Sequence, residues 1–355
     1  MHAVRRAFVL SCFLGCSLLA TPGLAQVPVA DGVFSRDVYP EVRTQFPGGV
    51  VGLPDLTYAT VSGFRRLKLD LYLPPGPRTG SRPTIIYMHG GGWSGGTPRT
   101  TGAFENWPEV LASFAARGYV VASIQYRFSG EAPFPAAIQD VKSAIRWLKT
   151  NAAAYGIDTG RMVTWGVSAG GQLAGLAAVS CGVAELDPPS AGGRGGGRAG
   201  AAPAAAPAPP PPSNCVQGSV LWYAVSNLEM TLEAQQAPPA NGAAAGGGGR
   251  NAYLGCAPGN CAKEAHAATV NTYVDANDPP MLLIHGAADT TVPVEQSKVL
   301  YELLKAKGIK TDLLVFPDIN HSFVGKTGDA TRLASRTALE RTIAFIDATI
   351  GKAAK

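Results

Sequence analysis

Unbroken apolar runs alternate with helical stripes along most of this chain. Residues 84–88, 119–126, 161–165, 219–224, 281–285 and 311–316 are short, mostly apolar runs without a regular polar partner. Runs of that length and composition suit strands buried on both faces. Between them, residues 107–117, 136–155, 172–179, 294–307 and 330–350 predict helices. In the second of these, Ile138, Val141, Ala144, Ile145 and Leu148 fall on one stripe, at the spacing of a helix face that packs on a core. Residues 57–60 and 68–73 instead alternate apolar and polar positions, as an antiparallel hairpin at a sheet edge does. Residues 26–50 read as an extended lead-in. The whole predicts an α/β fold: a doubly wound, mostly parallel sheet of about eight strands flanked by helices.

Three segments stand outside that pattern. Residues 190–213 and 238–249 are almost entirely Gly, Ala and Pro. With so little apolar side-chain area to bury, both are expected to be disordered surface loops. Neither carries the amphipathic helix that a lipase lid needs. At the N-terminus, Arg5 and Arg6 precede an apolar stretch over residues 7–20 and a small-x-small site at Gly23-Leu24-Ala25. That is the layout of a cleaved export signal, and the stretch is short for a membrane span of about 20 residues. The expected organisation is a signal peptide at 1–25 and one catalytic domain over 26–355, in a secreted or periplasmic protein without stable membrane insertion.

Charge adds little. Without Arg5 and Arg6 the 30 Lys and Arg fall to 28, against 25 Asp and Glu. No basic cluster is interleaved with aromatics, which argues against nucleic acid as a partner. The cysteines say more. Cys12 and Cys16 lie in the leader, and Cys181, Cys215, Cys256 and Cys261 lie beyond it. An even number in an exported chain predicts two disulfides. Of the three possible pairings, Cys181–Cys215 and Cys256–Cys261 are favoured, since each brackets a Gly/Ala/Pro-rich or turn-like segment. Closing the longer loop stabilises by roughly 3–4 kcal/mol on the chain-entropy model. Zinc is disfavoured, because neither paired C-x-x-C motifs nor a nearby His pair accompanies these cysteines.

The candidate chemistry centres on Gly166-Val167-Ser168-Ala169-Gly170-Gly171, between the run at 161–165 and the small-residue helix at 172–179. A G-x-S-x-G between strand and helix is a nucleophile elbow, a sharp turn that lifts the serine hydroxyl above the sheet edge. Serine needs an oriented base. The acid and histidine follow in the order that this plan requires: Asp289 just past the run at 281–285, and His321 just past 311–316. His321 would take the Ser168 proton while Asp289 fixes its tautomer. His285 and His266 compete weakly as bases, and Asp312 and Asp318 compete as acids. Upstream, His89-Gly90-Gly91-Gly92-Trp93 follows the run at 84–88. Glycine runs let backbone N–H groups approach a substrate, as an oxyanion hole requires. Gly91, Gly92 and Ala169 are the expected donors, with His89 bracing the loop. Trp93 either walls the substrate pocket or packs beneath it, and Arg127 with Asp140 reads as a structural pair. No metal or organic cofactor is implied.

His89-Gly-Gly-Gly-Trp93, Gln125-Tyr-Arg127, the segment from Asp140 to Leu148, Gly166–Gly171, the segment from Pro279 to Gly286 and Asp289-Thr-Thr-Val-Pro293 together resemble the HGGG-type α/β-hydrolases. Within them, the motifs are most like the bacterial carbohydrate-esterase branch of feruloyl and acetylxylan esterases (BD-FAE-like). The resemblance covers roughly residues 55–350. It implies an α/β-hydrolase fold, a Ser-His-Asp triad and a serine esterase working through an acyl-enzyme. Expected substrates are small-molecule or polysaccharide-linked esters with short or aromatic acyl groups. A serine peptidase of the prolyl-oligopeptidase group, an aryl formamidase relative and a non-catalytic hydrolase-fold binding protein are the alternatives. The peptidase group carries a large gating domain ahead of the hydrolase, whereas only about 30 residues precede the first strands here.

Overall fold

The computed structural model describes residues 41–77, 80–189, 210–236, 252–257 and 259–351. All of them but Glu41 belong to one body that starts at Val42. The expected signal peptide lies outside the described residues, as do 190–209 of the first insertion and the whole of 238–249.

Nine strands form one sheet in the order β1-β2-β3-β5-β4-β6-β7-β8-β9. They are β1 (Thr44–Phe46), β2 (Val50–Ala59), β3 (Leu67–Leu73), β4 (Arg82–Met88), β5 (Val120–Ile124), β6 (Ile157–Val167), β7 (Gly218–Trp222), β8 (Met281–Gly286) and β9 (Thr311–Phe316). Pairing from β1 to β5 is antiparallel, and every pairing from β5 to β9 is parallel. The extra strand beyond the expected eight is β1, in the segment expected to be an extended lead-in. The edge hairpin is also longer than expected: β2 begins at Val50 and pairs with β3 across register shifts between Leu53 and Leu56 and between Thr57 and Ala59.

The helices are α1 (Trp107–Ala116), α2 (Ala136–Thr150), α3 (Ala152–Tyr155), α4 (Ala169–Val179), α5 (Leu228–Gln236), α6 (Ala262–Ala268), α7 (Glu295–Ala306) and α8 (Gly328–Ile350). The helix expected over 136–155 breaks at Asn151, and Gly156 closes the second piece in the left-handed region. Helix α1 starts on a reciprocal cap: the Asn106 side chain accepts from Glu109 N–H at 3.2 Å and donates to the Glu109 carboxylate at 2.9 Å. Helices α5 and α6 had no distinct apolar stripe to announce them and are the additions to the sequence reading.

Two apolar layers explain the unbroken runs. Along β4, Ile85 and Tyr87 join a cluster containing Leu111 and Phe114 of α1 and Ala338 and Ile346 of α8. Ile86 and Met88, on the other face, join Ile138 and Ile145 of α2, Leu173 of α4 and Leu300 of α7. Each central strand is therefore buried on both sides, and period-2 patterning disappears. Helix α4 is buried along its whole length, which accounts for its Ala- and Gly-rich, non-amphipathic sequence.

Three tryptophans, Trp107, Trp165 and Trp222, form an edge-on cluster with Trp165–Trp222 and Trp107–Trp165 centroids 4.9 and 5.3 Å apart. Such geometry adds to plain burial. On the opposite layer, Arg127 clasps Asp140 through Nε and Nη2 at 2.7–3.0 Å, and Arg127 N–H donates to the same carboxylate at 2.8 Å. Burial raises the Asp140 pKa, with the Arg127 bonds opposing it. The pair is structural, as the sequence implied. The structure joins Cys181 to Cys215 and Cys256 to Cys261.

Candidate active site

The elbow is built by close backbone approach. A Cβ on Gly166 would collide with the carbonyl of Gly170, and one on Gly170 would collide with the carbonyls of Met88 and His89. Only glycine lets β6 turn into α4 while α4 lies against the end of β4. The turn leaves Ser168 at φ 53 and ψ −121, a strained backbone of the kind held at functional sites. It puts Ser168 at the N-terminus of α4. There Ala169 N–H is among the first-turn amides with no intrahelical acceptor, and the helix dipole is positive.

Ser168, His321 and Asp289, far apart in sequence, form one hydrogen-bonded chain. The Ser168 hydroxyl donates to His321 Nε2 at 3.1 Å, and His321 Nδ1–H donates to Asp289 Oδ2 at 2.7 Å. Asp289 Oδ1 accepts from Thr291 N–H at 2.9 Å and Val292 N–H at 2.8 Å. Burial disfavours the Asp289 carboxylate, but hydrogen bonds from His285, His321 and Val292 N–H outweigh it and hold the pKa well below the usual range. Each residue sits just past a strand C-terminus: Ser168 after β6, Asp289 after β8 and His321 after β9. In a parallel sheet those ends converge on one crevice.

The weaker candidates lie elsewhere. His266 pairs with Glu229 at 3.0 Å on the surface. Asp312 is held by Arg341, and Asp318 is exposed beside Lys326. His285 has both ring nitrogens engaged away from Ser168, Nδ1 with Ser297 and Nε2 with Val292 O and Asp289 Oδ2.

A cavity of about 590 Å³ opens at Ser168, and Gly90, Gly91, Gly92, Ala169, Tyr223, Val225 and His321 are among the residues that line it. The residues expected to supply the oxyanion donors thus line the same cavity as Ser168. The loop is braced as expected: His89 Nδ1–H donates to Gly90 O at 2.7 Å, and its ring stacks on Tyr126 at 4.6 Å. Burial pushes the His89 pKa down to about 4, the Gly90 carbonyl acting in the opposite sense, so the ring is neutral near pH 7. Trp93 does both things allowed for it. It borders the cavity, yet is 2% exposed, stacks on Tyr253 at 4.3 Å and donates Nε1–H to Gln172 at 3.1 Å.

Three contributors were missed in the sequence. Asn320 Oδ1 accepts from both His321 N–H at 2.7 Å and Thr290 N–H at 3.0 Å, tying the histidine loop to the aspartate loop. Tyr223, at φ 38 just past β7, packs edge-on against the His321 ring at 4.8 Å. Gln172, one turn after Ser168, accepts from Trp93 and Tyr253 and donates to Ala268 O at 2.7 Å. The signals were positional: Asn320 adjoins His321, and Tyr223 ends a strand.

Sheet order, elbow and the acid and histidine loops define an α/β-hydrolase. The chain belongs to the BD-FAE family, whose model matches residues 69–304. Among curated relatives, it is 36% identical over 116 residues to carboxylesterase NlhH of Mycobacterium tuberculosis, an overlap of 33% of this chain and 34% of that one. It is 28% identical over 265 residues to esterase LipQ of the same organism, covering 74% of this chain and 55% of LipQ. The chain therefore spans between a third and a little over half the length of these relatives. Thermogutta terrifontis esterase 2 with butyrate bound superposes at TM-score 0.65 and 26% identity, over 87% of this chain and 97% of that one. A bifunctional GH43-CE protein of Bacteroides eggerthii superposes at 0.64 and 28% identity, over 84% and 38%.

Proposed function

We propose that this protein is a serine carboxylic-ester hydrolase that works through an acyl-enzyme on Ser168. The observation that carries the reading is the Ser168–His321–Asp289 chain beneath a glycine loop in one cavity. Ser168 attacks the ester carbonyl as its proton passes to His321 Nε2, and Asp289 balances the imidazolium. The carbonyl oxygen becomes an oxyanion facing the N–H groups of Gly91, Gly92 and Ala169, each donor contributing about 3–4 kcal/mol to the transition state. Collapse expels the alcohol, which takes the proton from His321. Water, deprotonated by the same nitrogen, then attacks the acyl carbonyl and restores Ser168.

The substrates in this reading are short or aromatic acyl esters such as those of plant polysaccharides. The cavity supports it: among its lining residues, Ser94, Thr100, Thr101, Thr291 and Ser322 offer hydroxyls, and His321 is the sole side chain able to carry charge. Propionate and butyrate complexes of Thermogutta terrifontis esterase 2 support short acyl groups, and the GH43-CE neighbour supports a saccharide-linked alcohol. Export, with residues 1–25 as the leader, is part of the proposal and is supported by the two disulfides.

The test is hydrolysis of p-nitrophenyl esters from C2 to C12, methyl ferulate and acetylated xylan by the wild type and by Ser168→Ala. Turnover of short or feruloyl esters that vanishes in the variant supports the reading. A folded wild type without turnover refutes it and moves weight to amide substrates or binding.

A further inference from the structure

The acid of the site has a second histidine that the hydrolytic scheme does not use. His285, the fifth residue of β8, is fully buried. Its Nε2 lies 2.9 Å from the carbonyl of Val292 and 3.3 Å from Asp289 Oδ2. A carbonyl only accepts, so Nε2 carries the proton and shares it between Val292 and Asp289. Nδ1 is then the acceptor, and the Ser297 hydroxyl on α7 donates to it at 2.7 Å. The Val292 carbonyl thereby sets the His285 tautomer, and Ser297 anchors the ring from its other nitrogen.

The consequence for Asp289 is geometric. Oδ1 is fixed by two amides of its own loop, and those two bonds do not by themselves fix where Oδ2 points. Oδ2 is the oxygen that must meet His321. His285 reaches that same oxygen, so Oδ2 is held between two imidazoles, that of His321 part-exposed at the cavity and that of His285 fully buried. Two donors on one oxygen and two on the other satisfy the carboxylate completely. The i, i+4 separation of His285 and Asp289 spans the strand end and the turn, and Gly286, where a Cβ would strike the Ile319 carbonyl, allows that turn to close.

We propose that His285 is a positioning residue for the triad acid: its Nε2–H, oriented by Ser297, holds Asp289 Oδ2 in the plane from which it orients His321. This rests on the esterase reading, with Ser168, His321 and Asp289 as the triad. The positioning matters most when the imidazolium forms, since a carboxylate already aimed needs no reorganisation at that moment.

The test compares steady-state hydrolysis of p-nitrophenyl acetate by wild type, Ser168→Ala, His285→Leu, His285→Gln and Ser297→Ala, each with its thermal melt. Wild-type turnover that Ser168→Ala abolishes establishes the reading on which the inference stands; its absence refutes that reading rather than the role of His285. Given turnover, His285→Leu is expected to lower kcat about tenfold to a hundredfold, the range for a hydrogen bond to a charged group, with KM nearly unchanged. His285→Gln, whose amide N–H can replace Nε2–H, is expected to recover kcat to within about threefold of wild type. A purely packing role would move the melt and leave the Gln variant as impaired as Leu. Wild-type kcat in His285→Leu, or no recovery in His285→Gln, overturns the proposal. If His285→Leu does not fold, Ser297→Ala decides. It keeps both histidines and is expected to cost kcat about threefold to tenfold by removing the hydrogen bond that anchors the His285 ring, and an unchanged kcat there overturns the proposal equally.

Discussion

Replacing Asp289 by Asn exchanges one carboxylate oxygen for an NH₂ and changes almost no volume, so its effect can be worked from hydrogen-bond roles alone. All four groups that meet this carboxylate are donors: Thr291 N–H and Val292 N–H on Oδ1, His321 Nδ1–H and the His285 Nε2–H on Oδ2. An amide has one acceptor end and one donor end, so one pair of donors must face an NH₂. The backbone amides cannot change character, whereas an imidazole can move its proton. The amide oxygen therefore stays with Thr291 and Val292, and its NH₂ turns toward His321. His321 answers by accepting at Nδ1 and carrying its proton on Nε2, which then points at Ser168 and cannot take the hydroxyl proton. Loss of the correct tautomer costs about 10,000-fold in kcat, or about 5.5 kcal/mol, when the rest of such a site is intact. KM should change little, because the cavity lining is untouched. The assay is initial rates on p-nitrophenyl acetate, with a melt to show that the variant folds. A folded Asp289→Asn enzyme within about tenfold of wild-type kcat would refute the reasoning.

Two further outcomes follow from the same geometry. Because the Asp289 pKa is depressed in the fold, its contribution to stability is fully present above the unfolded value of about 3.9 and is lost only as pH falls from there through the folded value. Chemical denaturation of the wild type at a series of pH values from about 6 to about 2 checks this, and stability that does not fall in the acid range would refute the hydrogen-bonded carboxylate. Gly170→Ala places a methyl group against the Met88 and His89 carbonyls, and backbone cannot yield as a flexible side chain can. A loss of about 3 kcal/mol or more, or failure to accumulate folded protein, is expected in chemical denaturation, and wild-type stability would show that the elbow is looser than described.

The candidate site residues could be picked out in sequence because chain order and strand ends constrain them. Ser168, Asp289 and His321 each follow a buried run directly, and a parallel sheet brings the C-terminal ends of its strands together whatever lies between. The glycine loop was legible for the same reason, following the run that becomes β4. What escaped notice was whatever depended on cross-chain contact. Nothing in the spacing of His285 says whether it meets Ser168 or Asp289; the direction of its side chain at the end of β8 decides that. Asn320 and Gln172 are ordinary polar residues in sequence, and acquire a role only when Thr290 and Trp93 arrive from other loops.

The sequence by itself determined the fold class and the chemical cast. Local patterns carry these: unbroken apolar runs for doubly buried strands, a glycine-flanked serine for the turn, and an acid and a histidine placed after later strands. The tertiary structure decided the ninth strand, the break at Asn151, helices α5 and α6, and the hydrogen-bond directions around Asp289. Those features depend on which surfaces meet after the sheet has formed. A short edge strand exists only because β2 is there to pair with it, and an imidazole takes a tautomer only from the partners that packing brings to its two nitrogens.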